Sequence, residues 1–345
     1  MAPLRVAFVA PSLKKDDRGA LQAGYLLRGW KGDRDVDARL VRHGGLRQVA
    51  WADIVHVFLS DSLFVPAVPA IIASHVLGRP VILSYQGDRT PAHLSGSAIA
   101  RMALARVKAH VVPSSFLFDV FGTFGIRTTL VPNLVDPAIF TFRERHPLRP
   151  RLLSTRSFEP LDNVAATIRA FKLVQERRPE AELTLVGGGS QERHLRALAA
   201  ELGLRNLTFA GRVKPADVAR FYADNDIYVQ SPNIDNMPTP VFEAFASGLP
   251  VVSTEAGGVR AVLAHRVHGL LAPLADYETL GHHVLRLLES PDYARGLARA
   301  AYATCDDCTW PTVRNQWVRA YRSALPATTK DLLSVSPMSS AERSR

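Results

Sequence analysis

Short apolar runs recur along this chain, each followed by a segment with helical spacing, and this alternation constrains the fold more than any other feature. "LRVAFVA", "DIVHVFL", "PVILSY", "HVVP" and "TTLVP" read as strands, with helical stretches around Leu21–Trp30, Val65–Leu77, Ala98–Lys108 and Phe116–Phe124. A second series follows: "RLLST", "ELTLVG", "LTFAG", "IYVQS", "PVVST" and "GLLAP", again separated by helical segments. A strand–helix–strand alternation builds parallel sheets with helices on both faces.

A length of 345 residues favours two domains over one. Between the two series lies "VDPAIFTFRERHPLRP", charged and proline-bearing, with the composition of a linker. The expected architecture is α/β, with two Rossmann-like domains whose parallel sheets face each other across a cleft. The first spans residues 1–140, a linker 141–150, and the second domain 151–308. Helices are expected at about Pro291–Asp306 and Thr309–Leu325. The segment 326–345 is poor in apolar residues and is expected to be disordered.

Composition narrows the function. The formal charge of +10 suits phosphates, anionic lipid or nucleic acid. No dense Lys/Arg run, zinc-finger spacing or aromatic ribonucleoprotein strand accompanies it, so no nucleic-acid partner is expected. "MAPLRVAFVA" is too short an apolar run for a leader, and prolines break "VPAVPAIIASHVLG". A cytoplasmic location is expected, with peripheral contact at the inner face of the membrane through the more basic N-terminal domain. Cys305 and Cys308 form a lone "CDDC" without the further ligands a zinc site needs, and read as ordinary thiols. "DRD", Asp33 to Asp35, has a cation-site spacing but reads as solvated surface. No metal is expected.

The loop after the first strand, "PSLKKDDRGA", has no G-x-G-x-x-G, which disfavours a nicotinamide enzyme, and no Walker loop occurs. "LTLVGGGSQERHL" places Gly187 to Gly189 between a strand and a helix, where glycines either let backbone approach a ligand or simply end a strand. "PNIDNMPTPVFEAFASGLPVVSTEAGG" says more. Asp235 sits in a polar loop, and Glu243 follows eight positions later in the first turn of a helix. Thr239 caps that helix in this reading and Pro240 takes its first position, where a missing N–H costs nothing. The free amides of the first turn, at the positive end of the helix dipole, would then suit a diphosphate. Glu243 would accept from a ribose diol and Asp235 from a hexose hydroxyl. Spacing alone fits a capped helix with a satisfied glutamate equally well.

"DNMPTPVFEAFASGLPVVSTEAGGV" resembles the donor-site signature of the retaining glycosyltransferases of family 4, which have the GT-B fold. "LLSTRSFEPLDNVAATIRAF", "LTLVGGGSQERHLRALAAELGL", "LTFAGRV", "FYADNDIYVQSP" and "HGLLAP" fall in that family's order across residues 151–325. "ADIVHVF", "VVPSSFLFDVF" and "VPNLVDPAIF" match more loosely. The resemblance implies a last helix that crosses back to the N-terminal domain. It assigns Glu243 to the nucleotide ribose, Asp235 to the transferred sugar and Arg156 to the donor diphosphate. Thr239, Val241, Gly187, Gly189, Arg212 and Val213 complete the implied donor site, with Asp235 and Arg156 as the catalytic pair.

Departures cluster on the acceptor and leaving-group side. The family's lysine, five or six positions after the arginine, is replaced by Leu161 and Asp162, so Arg156 is expected to carry the leaving-group charge nearly alone. Gly19 in "DDRGA" is the nearest counterpart of an acceptor-facing Gly-Gly. Gln86 stands where a histidine is usual, with His93 nearby. The implied activity is transfer of a sugar from a nucleoside-diphosphate sugar to a glycan, lipid-linked or small-molecule acceptor, with retention and no cofactor, within carbohydrate or cell-envelope glycan biosynthesis. The alternative is a catalytically weakened GT-B protein that binds a nucleotide sugar or serves as a partner subunit.

Overall fold

A computed structural model describes residues 2–10, 18–41, 46–59, 68–86, 107–135 and 139–326. The first half runs β1 (Leu4–Val9), α1 (Arg18–Gly29), β2 (Val36–Leu40), α2 (Leu46–Trp51), β3 (Ile54–Leu59), α3 (Val68–Val76), β4 (Val81–Tyr85), β5 (Ala109–Val112), α4 (Ser115–Thr123) and β6 (Thr128–Leu130). The second runs β7 (Arg151–Ser154), α5 (Val164–Arg177), β8 (Glu182–Val186), α6 (Glu192–Glu201), β9 (Leu207–Gly211), α7 (Val218–Asp224) and β10 (Ile227–Gln230). It continues with α8 (Thr239–Ala246), β11 (Val251–Thr254), α9 (Gly257–Val262), β12 (Leu270–Ala272), α10 (Tyr277–Glu289), α11 (Pro291–Tyr302) and α12 (Trp310–Ala324).

Both sheets are parallel and six-stranded, in the orders β2-β1-β3-β4-β5-β6 and β12-β11-β10-β7-β8-β9. In each, the chain starts at an inner strand, winds to one edge and then reverses. That reversal leaves a crevice beyond the strand C-termini where ligands of such sheets bind. The central strands are apolar on both faces because helices cover both. Every residue of β3, β10 and β11 is buried.

β2 and α2 were not apparent in the sequence, since "VDARL" is short and half charged. α3 occupies Val68–Val76 within the expected Val65–Leu77. The expected helix Ala98–Lys108 lies outside the described residues apart from its last two, which precede β5. The expected helix Pro291–Asp306 ends at Tyr302 and gives way to a 3-10 turn, Cys305–Cys308, whose two thiols are buried. Most of the expected disordered segment 326–345 is also outside the described residues. Among the described residues no helix is long and apolar enough to cross a membrane.

α12 returns to the first half. Val313, Trp317, Ala320, Tyr321 and Ala324 join the core formed by Val6, Phe8, Trp30 and Ile82. At the centre of β3, His56 bonds Tyr321 through Nδ1 at 3.0 Å and Ser84 through Nε2 at 2.8 Å. Burial pushes this imidazole down to about 3, so it works as a neutral hydrogen-bonding core residue. The reading of Asp33 and Asp35 as solvated surface is corrected here. Both accept from Arg314 of α12 at 2.6 Å, Asp33 at Nε and Asp35 at Nη2.

The segment 141–150 is not a free tether. Arg149 holds the fully buried Asp226 in a fork at 2.8 and 2.9 Å, and Arg143 reaches the same carboxylate at 3.2 Å. Arg145 is buried and donates to the carbonyls of Tyr222 at 2.6 Å, Asn225 at 3.3 Å and Ser247. It thereby satisfies orphan carbonyls at the C-termini of both α7 and α8.

Candidate functional site

A pocket of about 300 Å³ opens between the two halves, beyond the C-termini of β7, β8 and β9. α1 supplies Leu21, Gln22 and Tyr25 from one side. The other side is built by Thr155 and Ser157 after β7, Gly187 and Gly188 after β8, Arg212 and Val213 after β9, and Thr239 and Glu243 of α8. Gln22 is buried, and its Oε1 accepts from the Leu134 amide at 3.2 Å, tying α1 to the chain after β6. A second tie crosses at the N-cap of α4. The Ser114 hydroxyl accepts from the Leu117 amide and donates to the carbonyl of Asn236 at 2.5 Å.

The glycine loop has a steric reason. Gly187 has φ of +154°, and a side chain there would collide with the Arg156 carbonyl. A Cβ on Gly188 would meet the Arg212 side chain at 3.0 Å. Gly189 differs from the expectation. It packs 2.6 Å (from a would-be Cβ) against the Phe158 carbonyl and Glu159, and takes no part in the pocket wall. Its role here is to let two loops touch.

Glu243 is half-buried in the pocket wall. Oε2 accepts from the Tyr222 hydroxyl at 2.7 Å. The Tyr222 hydroxyl also shares a hydrogen bond with the Thr155 hydroxyl at 2.6 Å. Tyr228 lies 3.3 Å from Thr155 and donates to Gln230 at 3.2 Å, so the chain of polar groups runs back into the sheet. Burial lifts the Glu243 carboxyl from 4.5 to about 7, although the Tyr222 bond pulls downward. Tyr222 and Arg145, which fixes the end of α7, escaped the sequence reading. Tyr222 is 21 residues from Glu243, beyond any motif spacing, and the only signal was its place beside "DND".

Three expectations about α8 and its loop are corrected. Pro238, not Thr239, is the N-cap, and no side chain caps the helix. The first-turn amides are not open either. Thr239 N donates to Met237 O at 2.8 Å, Val241 N to Pro238 O at 2.9 Å, and Phe242 N to Pro238 O at 3.4 Å, while Pro240 has no N–H. Val241, expected at the donor site, is a core residue at 0% exposure and does not line the pocket. Thr239 and Pro240 do line the pocket.

Arg156 and Asp235 meet each other. Asp235 is fully buried, and its Oδ2 accepts from Arg156 Nη1 at 2.7 Å. Arg156 Nε donates to Asp162 Oδ1 at 2.7 Å, and Nη2 faces the same oxygen. The guanidinium, 2% exposed, therefore stands between two carboxylates instead of presenting an open charge to the pocket. Arg212 lines the pocket together with Arg156, with its Nη2 donating to Gly188 O at 3.3 Å. The "EAGGV" turn holds the Asp235 loop through the Gly258 amide, 2.6 Å from Asp235 O.

The residues expected on an acceptor side have mixed placements. Gly19 is buried in the first turn of α1, the helix that carries Leu21 and Tyr25 to the pocket, but does not line it. Gln86 is buried just after β4, its main-chain N–H donating to Leu59 O at 2.7 Å, and is not part of the wall. His93 lies outside the described residues.

Residues 139–304 match the family described as glycosyl transferases group 1. The chain is 28% identical over 162 residues to the amylovoran biosynthesis glycosyltransferase AmsK of Erwinia amylovora, covering 44% of this chain. For AmsK and two further curated relatives, the chain spans 38% to 51% of the relative's own length. A D-inositol 3-phosphate glycosyltransferase of Frankia alni is 30% identical over 283 residues, covering 75% of this chain and 69% of that protein. The crystal structure of Anabaena HepE in complex with UDP and glucose superposes with a TM-score of 0.77 at 17% identity, covering 93% of this chain and all of that one, which shows a shared GT-B fold. With a match of that extent to the Frankia enzyme, and the family pattern across residues 139–304, this chain belongs to the group 1 glycosyltransferases.

Proposed function

We propose that this chain transfers a sugar from a nucleoside-diphosphate sugar to an acceptor hydroxyl with retention at the anomeric carbon, as a metal-independent hexosyltransferase of family 4. The observation that carries the reading is the interdomain pocket in which Glu243, held by Tyr222, shares a wall with Gly188, Arg212 and Thr239. In the reaction the anomeric C–O bond breaks and the departing diphosphate takes the electron pair. The acceptor oxygen forms the new bond on the same face, and its proton leaves with the phosphate. Such a step is accelerated chiefly by fixed positive groups near the departing oxygens. Arg156 and Arg212 both line the pocket and are the cations that would serve there. Glu243 accepts from a ribose diol. HepE holds UDP and glucose in its crystal structure, and a uridine-diphosphate hexose is the first donor to test. The acceptor is a glycan, a lipid-linked sugar or a small molecule, used in the cytoplasm at the inner face of the membrane.

The clamped state of Arg156 favours a second reading, a weakened catalyst that binds nucleotide sugars. Purified protein is incubated with a panel of nucleotide sugars, with and without EDTA and candidate acceptors, and free nucleoside diphosphate is scored. Release with at least one donor, unaffected by EDTA, is expected, and the product anomer is read by NMR. Calorimetric binding without release selects the second reading. No binding of any nucleotide sugar overturns both.

A further inference from the structure

Asp162 ends a short 3-10 turn, Pro160–Asp162, six residues after Arg156, and is only 4% exposed. Carboxylates are rarely so buried unless polar partners hold them. Here the partners are explicit. Oδ1 takes Arg156 Nε at 2.7 Å and faces Nη2, while Oδ2 takes the Ser157 hydroxyl. The other edge of the same guanidinium donates from Nη1 to Asp235 Oδ2 at 2.7 Å. One cation thus sits between two carboxylates, and the three side chains together carry a formal charge of minus one. Arg156 and Ser157 both belong to the pocket wall. Gripping a phosphate with the planar fork of Arg156 would require it to release one of these edges. Asp235 is fixed through its main chain to Gly258, whereas Asp162 stands on the short turn after β7.

We propose that Asp162 is a positioning residue for the donor pocket, a built-in counter-ion that holds Arg156 against Asp235 and sets how strongly the pocket favours a nucleoside diphosphate over the uncharged nucleoside. This rests on the donor-site reading of the pocket. Asp162→Asn keeps the shape and an oxygen acceptor for Nε but removes one negative charge close to the pocket. A unit charge at such a distance changes anion affinity by roughly tenfold in a partly shielded site. The nucleoside, being neutral, feels almost none of that change.

The experiment is calorimetric titration of the full chain with UDP and uridine, and with GDP and guanosine, after thermal melts establish that each variant folds. The readout is the ratio of nucleoside to nucleoside-diphosphate Kd. Asp162→Asn and the smaller Asp162→Ser are both expected to raise that ratio roughly tenfold, with nucleoside affinity unchanged, while Asp162→Glu stays near wild type. A purely structural role would weaken both ligands together and leave the ratio alone, and that result overturns the inference. Wild-type binding with an unmoved ratio in a folded variant removes only the role of Asp162. If neither wild type nor any variant binds either diphosphate, the donor-site reading falls and takes this inference with it.

Discussion

Glu243 keeps its proton to a pH at which the same residue in an unfolded chain has lost it. Burial moves its carboxyl from 4.5 to about 7, so the native state binds more protons than the unfolded state between those values. The sign follows: this carboxyl's contribution to stability is fully present below about 4.5 and is lost as pH rises through about 7. Glu243→Gln has no such slope. The thermal midpoint of the Gln variant minus that of the wild type should therefore grow between about pH 5 and pH 8 in scanning calorimetry. A constant difference would mean that Glu243 ionises as an exposed carboxylate does. In ligand binding, Glu243→Ala is expected to weaken nucleotide-sugar affinity by ~1–3 kcal/mol, the scale of leaving hydroxyls and Tyr222 without an acceptor. Unchanged affinity in a folded variant would take Glu243 out of the ribose site. At Arg156 the structure changes the expected consequence of substitution. An ammonium cannot bridge Asp162 and Asp235 as the fork does, so Arg156→Lys should lower unfolding free energy by about 1–3 kcal/mol in urea titrations. A stability within error of wild type would show that one carboxylate suffices as partner. Residues that share a short motif, such as Glu243 and Thr239 or Gly187 and Gly188, could be brought together from the sequence. The Asp162 clamp could be read only as a missing lysine, because spacing says nothing about which carboxylate turns towards which guanidinium.

α7 and α8 are the elements that set the site, and their ends depend on a residue from a segment that composition marks only as a linker. Arg145 bonds the last carbonyls of both helices, and α7 then aims Tyr222 at Glu243. Arg145→Met keeps the apolar stem but strands those carbonyls. We expect it to cost about 2–3 kcal/mol in urea unfolding and to weaken nucleotide-sugar binding as well. Loss of stability with unaltered binding would show that the two helices hold their relative position without the cap. The strand–helix alternation was legible because apolar runs and helical spacing are local properties. The β2 edge strand was not, since an edge needs few apolar residues. The open helix start expected at Thr239 failed for a local reason as well. Pro238 and Pro240 fold the entry so tightly that the carbonyls of Met237 and Pro238 take the first amides.

For the whole molecule, the two halves are not independent beads. α12 leaves the second half and closes the core of the first, with Trp317 packed against both His56 and Tyr321. Trp317→Ala should therefore cost ~3–5 kcal/mol, the range for emptying a core aromatic site, and hydrogen exchange should report the loss in β1, β3 and β4. A cost below about 1 kcal/mol would mean that α12 is not docked in solution. Periodicity predicts that this helix has an apolar face, but cannot say which sheet receives it. The expectation came from the family resemblance, and the anchors Asp33 and Asp35 looked like ordinary surface acids. The arrangement also bears on how the chain comes off the ribosome. The first sheet is synthesised early, yet the side chains that seal one of its faces are among the last of the described residues to be made. Until then a nascent chain carries a sheet with an uncovered apolar face, the kind of surface that chaperones bind and that aggregates when crowded. Translation speed through the second half thus sets how long the first half waits unsealed.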